Sequence, residues 1–166
     1  MIQVYILLQL AFVSVLGNSV AFIDCGSDYE LTTVDIQGCD DRIPCFVTVG
    51  EDVLVRLVFF ADFVSQNLDQ NVSFNINYLN LRTQVTPERC GIYDCAMMTT
   101  DNKNSLTSVM SVPSLALNQR GFLVWRIENE AGRQVISYRV MIQTQSRLQR
   151  LLREYMETAP TSRDDQ

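Results

Sequence analysis

The chain has 166 residues, 47% of them hydrophobic, with no histidine and a formal net charge of −6. The missing imidazole removes the commonest general base, the usual triad partner of a nucleophile and the commonest zinc ligand. An acidic chain without a basic stripe is repelled by phosphate backbones, so nucleic acid is set aside as a partner.

From Met1 to Val20 there is no charged side chain, and Ile2 to Leu16 are apolar apart from Gln3, Tyr5, Gln9 and Ser14. Ser19-Val20-Ala21 supplies the small residues that a signal peptidase reads, so residues 1–21 are expected to be a signal peptide cleaved before Phe22. A membrane anchor would need about 20 apolar residues and a cationic flank, which this leader lacks. No later segment is long and apolar enough to span a bilayer. The mature chain is then expected to be secreted, or delivered to the endosomal–lysosomal lumen, as one domain of ordinary size.

Between Phe22 and residue 146 the hydrophobic period is two. Strands are expected near Phe22–Cys25 and Glu30–Ile36. Next, Val53, Val55, Leu57 and Phe59 alternate with Leu54, Arg56, Val58 and Phe60. Val72, Phe74, Ile76 and Tyr78 alternate with Ser73, Asn75 and Asn77, and a strand near Thr107–Val112 follows. Leu123, Trp125 and Ile127 oppose Arg126 and Glu128; Ile136, Tyr138, Val140 and Ile142 oppose Ser137, Arg139 and Gln143. Turn signals separate these runs, among them Gly38 to Pro44, Gly50-Glu51-Asp52, Pro87 to Gly91 and Asn129 to Gly132. Short alternating strands at this spacing predict an all-β, immunoglobulin-like antiparallel sandwich over residues 22–146.

The tail, 147–166, differs. Leu148, Leu151, Leu152 and Tyr155 fall at i, i+3, i+4 and i+7, one face of a short helix, with Arg147, Arg150 and Arg153 on its other faces. Thr158-Ala159-Pro160 ends the pattern, and Thr161 to Gln166 read as disordered. A helix this short needs something to dock on. The stripe is expected to lie on the sandwich, with a membrane or a partner as the other readings.

Five cysteines remain to be placed. In an oxidising compartment Cys39-x5-Cys45 and Cys90-x4-Cys95 read as short disulfide loops. An all-thiolate zinc site fits neither the spacing nor the compartment. Asp40-Asp41 and Glu51-Asp52 lie in predicted turns, with no spacing for acid–base work or a calcium loop. No glycine-rich phosphate loop follows a strand. The chain therefore reads as a non-enzyme without metal or cofactor. Asn71-Val72-Ser73 is an N-glycosylation acceptor on the polar face of its strand.

The ordered series Asp24-Cys25-Gly26-Ser27, Cys39, Pro44-Cys45 and Gly50 before an apolar strand resembles the ML-domain (lipid-recognition) family, which includes the soluble Niemann-Pick type C sterol carriers and the group 2 mite allergens. The resemblance covers roughly residues 22–144. It implies a sandwich whose sheets hold an apolar slot for a sterol or acyl chain, lined here by Val55, Leu57, Phe59, Phe74, Ile76, Tyr78, Leu123 and Trp125. Val112, 13 residues before Trp125, takes the position of a cavity valine in the sterol carriers. Ala116 stands where those carriers have a cavity tyrosine, which would widen the mouth. The family bridges the first cysteine to one in the last strand; Ser137 occupies that place, leaving Cys25 as a free thiol or an intermolecular bridge. The function implied is a secreted carrier of sterol or another lipid, partnered by a membrane sterol transporter or receptor. Innate-immune recognition of microbial lipids and chemosensory carriage of small hydrophobic signals are the alternatives.

Overall fold

A computed structural model describes residues 19–91 and 98–159. In chain order the strands are β1 (Phe22–Asp24), β2 (Glu30–Ile36), β3 (Cys45–Thr48), β4 (Asp52–Phe60), β5 (Asn67–Ile76), β6 (Leu79–Thr83), β7 (Val85–Thr86), β8 (Arg89–Gly91), β9 (Asn104–Ser111), β10 (Arg120–Asn129) and β11 (Gln134–Gln145). A 3-10 turn spans Ser114–Ala116, and the helix α1 spans Arg147–Thr158. The larger sheet runs β1-β11-β10-β5-β6, with β3 added to β11 and β8 to β5; the smaller runs β2-β4-β9-β7. The expected two-sheet sandwich is the observed architecture.

Alternation accounts for the long strands. In β4, Val53, Val55, Leu57 and Phe59 are buried while Leu54 and Arg56 are exposed. Such a strand can satisfy its backbone in a ladder on both edges and still bury one whole side-chain face. The apolar faces of both sheets merge into one buried cluster.

Three features depart from the sequence reading. β3 is four residues long and pairs with β11 in parallel, Cys45 opposite Ile142 and Thr48 opposite Gln145. β1 holds the same edge of β11 further along, antiparallel, with Phe22 opposite Val140. Four residues carry too little alternation to be seen in sequence, and the sense of pairing has no local signature at all.

Tyr78 is the second departure. It does not continue β5. Asn77 and Tyr78, with φ of 47° and 66°, are the two central residues of the hairpin between β5 and β6, where Ile76 pairs with Leu79. Positive φ at both positions matches the right-handed twist of the flanking strands, so the turn overrides the strand periodicity of Tyr78. Its side chain is fully exposed.

The third concerns α1, which docks with the opposite face from the one expected. Ser146 and Gln149 form a capping box at its start. Arg147 Nε and Arg150 Nη1 donate to the two oxygens of Glu51 at 3.0 and 2.5 Å, Arg42 reaches Glu157 at 2.9 Å, and the Arg153 guanidinium lies 4.4 Å from the Phe46 ring centroid. Leu148, Leu151, Leu152, Tyr155 and Met156 face outward, each more than half exposed. The sandwich has already closed its apolar faces on each other and offers the helix a polar flank. Surface ion pairs contribute about 0–1 kcal/mol each, so deleting 147–166 is expected to lower stability by no more than about 2 kcal/mol, read from urea unfolding. A truncated chain that cannot fold would show that α1 is part of the core.

Residues 1–18, Cys95 and the 160–166 end of the tail lie outside the described residues. Val20, expected to leave with the leader, is buried, and its N–H donates to Val34 O at 2.8 Å.

Candidate functional site

The inward face of the larger sheet is built in ranks across three strands. Ile76, Gly121 and Ile142 form the first, Phe74, Leu123 and Val140 the second, Val72, Trp125 and Tyr138 the third, and Gln70, Ile127 and Ile136 the fourth. Opposite them the smaller sheet presents Val53 beside Met110, Val55 beside Ser108, Leu57 beside Leu106, and Phe59 beside Asn104. Val112 and Ala116 close the end of the sandwich next to the first rank. Gly50 N–H donates to Val112 O at 2.9 Å, and Thr144 Oγ1 donates to Ala116 O.

Of the ten expected slot residues, Tyr78 lies outside and the other nine are 4% exposed or less. Phe59 stacks on Tyr29 with centroids 5.5 Å apart, at the end away from Val112. Phe74, Leu123 and Trp125 are at 0% exposure. These three side chains present no surface to water, so the sheets are closed on one another around them. A ligand between them has to part them.

Three polar groups of the interior were not anticipated. Gln70 and Ser108 sit in the apolar phase of β5 and β9, where alternation calls for hydrophobic side chains. They bridge the sheets: Gln70 Nε2 donates to Ser108 Oγ at 2.8 Å and to Pro87 O at 2.7 Å, while Trp125 Nε1 donates to Gln70 Oε1 at 3.1 Å. The bridge satisfies the indole and the amide, as buried polar groups require. The Tyr138 hydroxyl is the third: alternation turns the ring inward as expected, and among the described residues the hydroxyl meets no partner. A polar residue in an apolar phase was the available signal for the first two.

The cysteines follow the reading in part. Cys39 and Cys45 are bonded, with Cα atoms 5.2 Å apart. Cys90 is buried and disulfide-bonded; its expected partner Cys95 is outside the described residues. Cys25 is an exposed free thiol, and its N–H donates to Ser137 O at 2.8 Å, so the place of the family's missing bridge is adjacent.

Asn71 is exposed on the outer face of β5, opposite Arg126. Next to it a surface cleft of about 500 Å³ is lined by Asp69, Gln70, Arg82, Glu88, Arg89 and Glu128. Arg82–Glu88 and Arg89–Asp69 ion pairs line it, and the Arg89 guanidinium holds the Asp69 carboxyl below its ordinary range. This lining suits water better than a lipid. Among the described residues no three His, Cys, Asp or Glu side chains gather as a metal site, and no helix is long and apolar enough to cross a membrane.

The class of protein is thus an antiparallel two-sheet β-sandwich with an apolar interior and a short C-terminal helix. Among solved structures it is similar to a Niemann-Pick type C2 protein from the Japanese carpenter ant, with a TM-score of 0.61 and 14% sequence identity over 75% of this chain and 99% of that one. The likeness is one of fold. No family model matches the chain, and no curated protein matches it.

Proposed function

We propose that this protein is a secreted lipid carrier, which takes a sterol or another lipid between its two sheets, shields it from water and passes it on. The observation that carries the reading is the interior itself. Two sheets meet over largely apolar ranks with no charged side chain among the described buried residues, in a fold shared with a Niemann-Pick type C2 protein. Val112 and Ala116 form the mouth, and Val55, Leu57, Phe74, Ile76, Leu123 and Trp125 the walls. Phe59 is the floor.

The energetics suit passive binding. Roughly 300 Å² of apolar ligand surface at about 25 cal/mol per Å² supplies on the order of 7 kcal/mol before association and sheet-parting costs. Micromolar affinity corresponds to about 8 kcal/mol net, so burial of this size has to be joined by a larger contact area or a polar contact, and no bond is made or broken. In this reading residues 1–21 direct export, the mature chain works outside the cell or in the endosomal–lysosomal lumen, Asn71 carries a glycan, and a membrane transporter or receptor accepts the cargo.

Mass spectrometry of lipids extracted from the protein purified from its own source tests the proposal. A stoichiometric lipid is expected. A lipid-free preparation that also binds neither cholesterol nor long-chain lipids when they are added back would end the carrier reading.

A further inference from the structure

Tyr138 is fully buried in the third rank of the larger sheet. Its ring stacks on Trp125 with centroids 6.2 Å apart and planes 9° from parallel, and the Phe22 ring meets it edge-on at 6.1 Å. Among the described residues the hydroxyl has no hydrogen-bond partner, and it has no accessible surface. The Gln70 amide, which accepts from the Trp125 indole beneath the Tyr138 ring, is committed to Trp125, Ser108 and Pro87. Burial raises the Tyr138 pKa well above the ordinary tyrosine value, so the group is a neutral O–H. Most buried hydroxyls in folded proteins are paired, because an orphan forfeits its hydration without return. Phenylalanine at this position would have kept the stacking and avoided that cost.

We propose that Tyr138 is the polar contact of the slot, its hydroxyl donating to an oxygen carried on an otherwise apolar ligand. The assignment rests on the carrier reading above and narrows it. Four residues separate Tyr138 from Ile142 in the first rank, or roughly 13 Å of extended strand, so the contact lies deep between the sheets. An ionised carboxylate is unwelcome at that depth, since no Lys or Arg is among the described buried residues to neutralise it. The ligand class is therefore neutral oxygenated lipids: alcohols, esters or ketones, in preference to hydrocarbons and to ionised fatty acids. A long-chain alcohol or ester is one source of that oxygen and a sterol hydroxyl entering first is the other. When the sheets part around such a ligand, the bond that the closed sandwich lacks is formed.

The test is displacement of a bound naphthylamine fluorophore from delipidated parent and Tyr138→Phe proteins, with thermal melts of both. The competitors are cetyl alcohol, cetyl acetate, palmitate and hexadecane, with cholesterol against cholestane to distinguish the sterol source. The parent should prefer the alcohol or ester over hexadecane by about tenfold, the worth of one buried hydrogen bond. In Tyr138→Phe that preference should vanish through loss of oxygenated binding, with hexadecane unchanged and the melting temperature equal or higher. Equal affinity of the parent for alcohol and hydrocarbon overturns the assignment, even if the variant fails to fold. So does undiminished alcohol binding by Tyr138→Phe, which would leave the hydroxyl a structural group only. A parent protein that binds the fluorophore and none of the competitors overturns the carrier reading itself.

Discussion

Val112→Phe is expected to weaken lipid binding by about a hundredfold or more, because the added ring fills the mouth that the ligand must pass. A hundredfold corresponds to about 2.7 kcal/mol, well within reach of a misplaced aromatic ring. The same change overpacks a buried position, since Val112 is 2% exposed, and overpacking costs typically about 1–3 kcal/mol of stability. Stability loss alone therefore cannot prove the mouth. Val135→Phe supplies the control. Val135 is equally buried, the unpaired residue of a β-bulge beside Ile136 in the fourth rank, at the end of the sandwich away from Val112, and its carbonyl accepts from Tyr29 N–H at 2.9 Å. Both variants should melt lower than the parent, while only Val112→Phe loses displacement of the fluorophore by sterol or long-chain alcohol. If the two lose binding in parallel with their melting temperatures, Val112 is a core residue and the mouth lies elsewhere.

Ser137→Cys is expected to raise stability by about 2–4 kcal/mol by forming a bridge to Cys25. The Cys25 N–H already donates to the Ser137 carbonyl at 2.8 Å, so the two positions are hydrogen-bonded neighbours on β11 and the segment after β1. The bridge would close a loop of more than a hundred residues, for which the restriction of the unfolded chain is large. Thiol titration should fall by one relative to the parent, and the gain in melting temperature should disappear in reductant. One additional reactive thiol in the variant, instead of one fewer, would mean that the Cys25 side chain, which is exposed and contacts Ile23 O at 3.6 Å, does not turn toward β11. The Cys39–Cys45 loop is untouched by this change and serves as the internal reference for full oxidation.

Much of the sandwich was legible in the chain because alternation is a local property. Val53 to Phe59 and Ile136 to Ile142 each announce one buried face, and the structure buries that face. A short spacing places Cys39 beside Cys45 with few alternatives. The helix α1 could be read from the four residues of its stripe.

Partnership was not legible, because it depends on contacts between residues far apart in sequence. Nothing in Cys45–Thr48 says that β3 lies parallel to the end of β11. Tyr78 keeps perfect strand phase yet belongs to a turn, since hairpin geometry at Asn77 and Tyr78 outweighs a single step of periodicity. The stripe on α1 identifies an apolar face and cannot say what it meets; once the two sheets had closed on each other, Glu51 and Phe46 were what remained for the helix, and they select its arginines. Gln70, Ser108 and Tyr138 acquire their meaning only when two sheets bring them together or leave them alone. Sequence by itself determined which face of each long strand turns inward. The tertiary structure decided how tightly the inward faces close and which polar atoms find partners there, because those depend on packing across the whole domain.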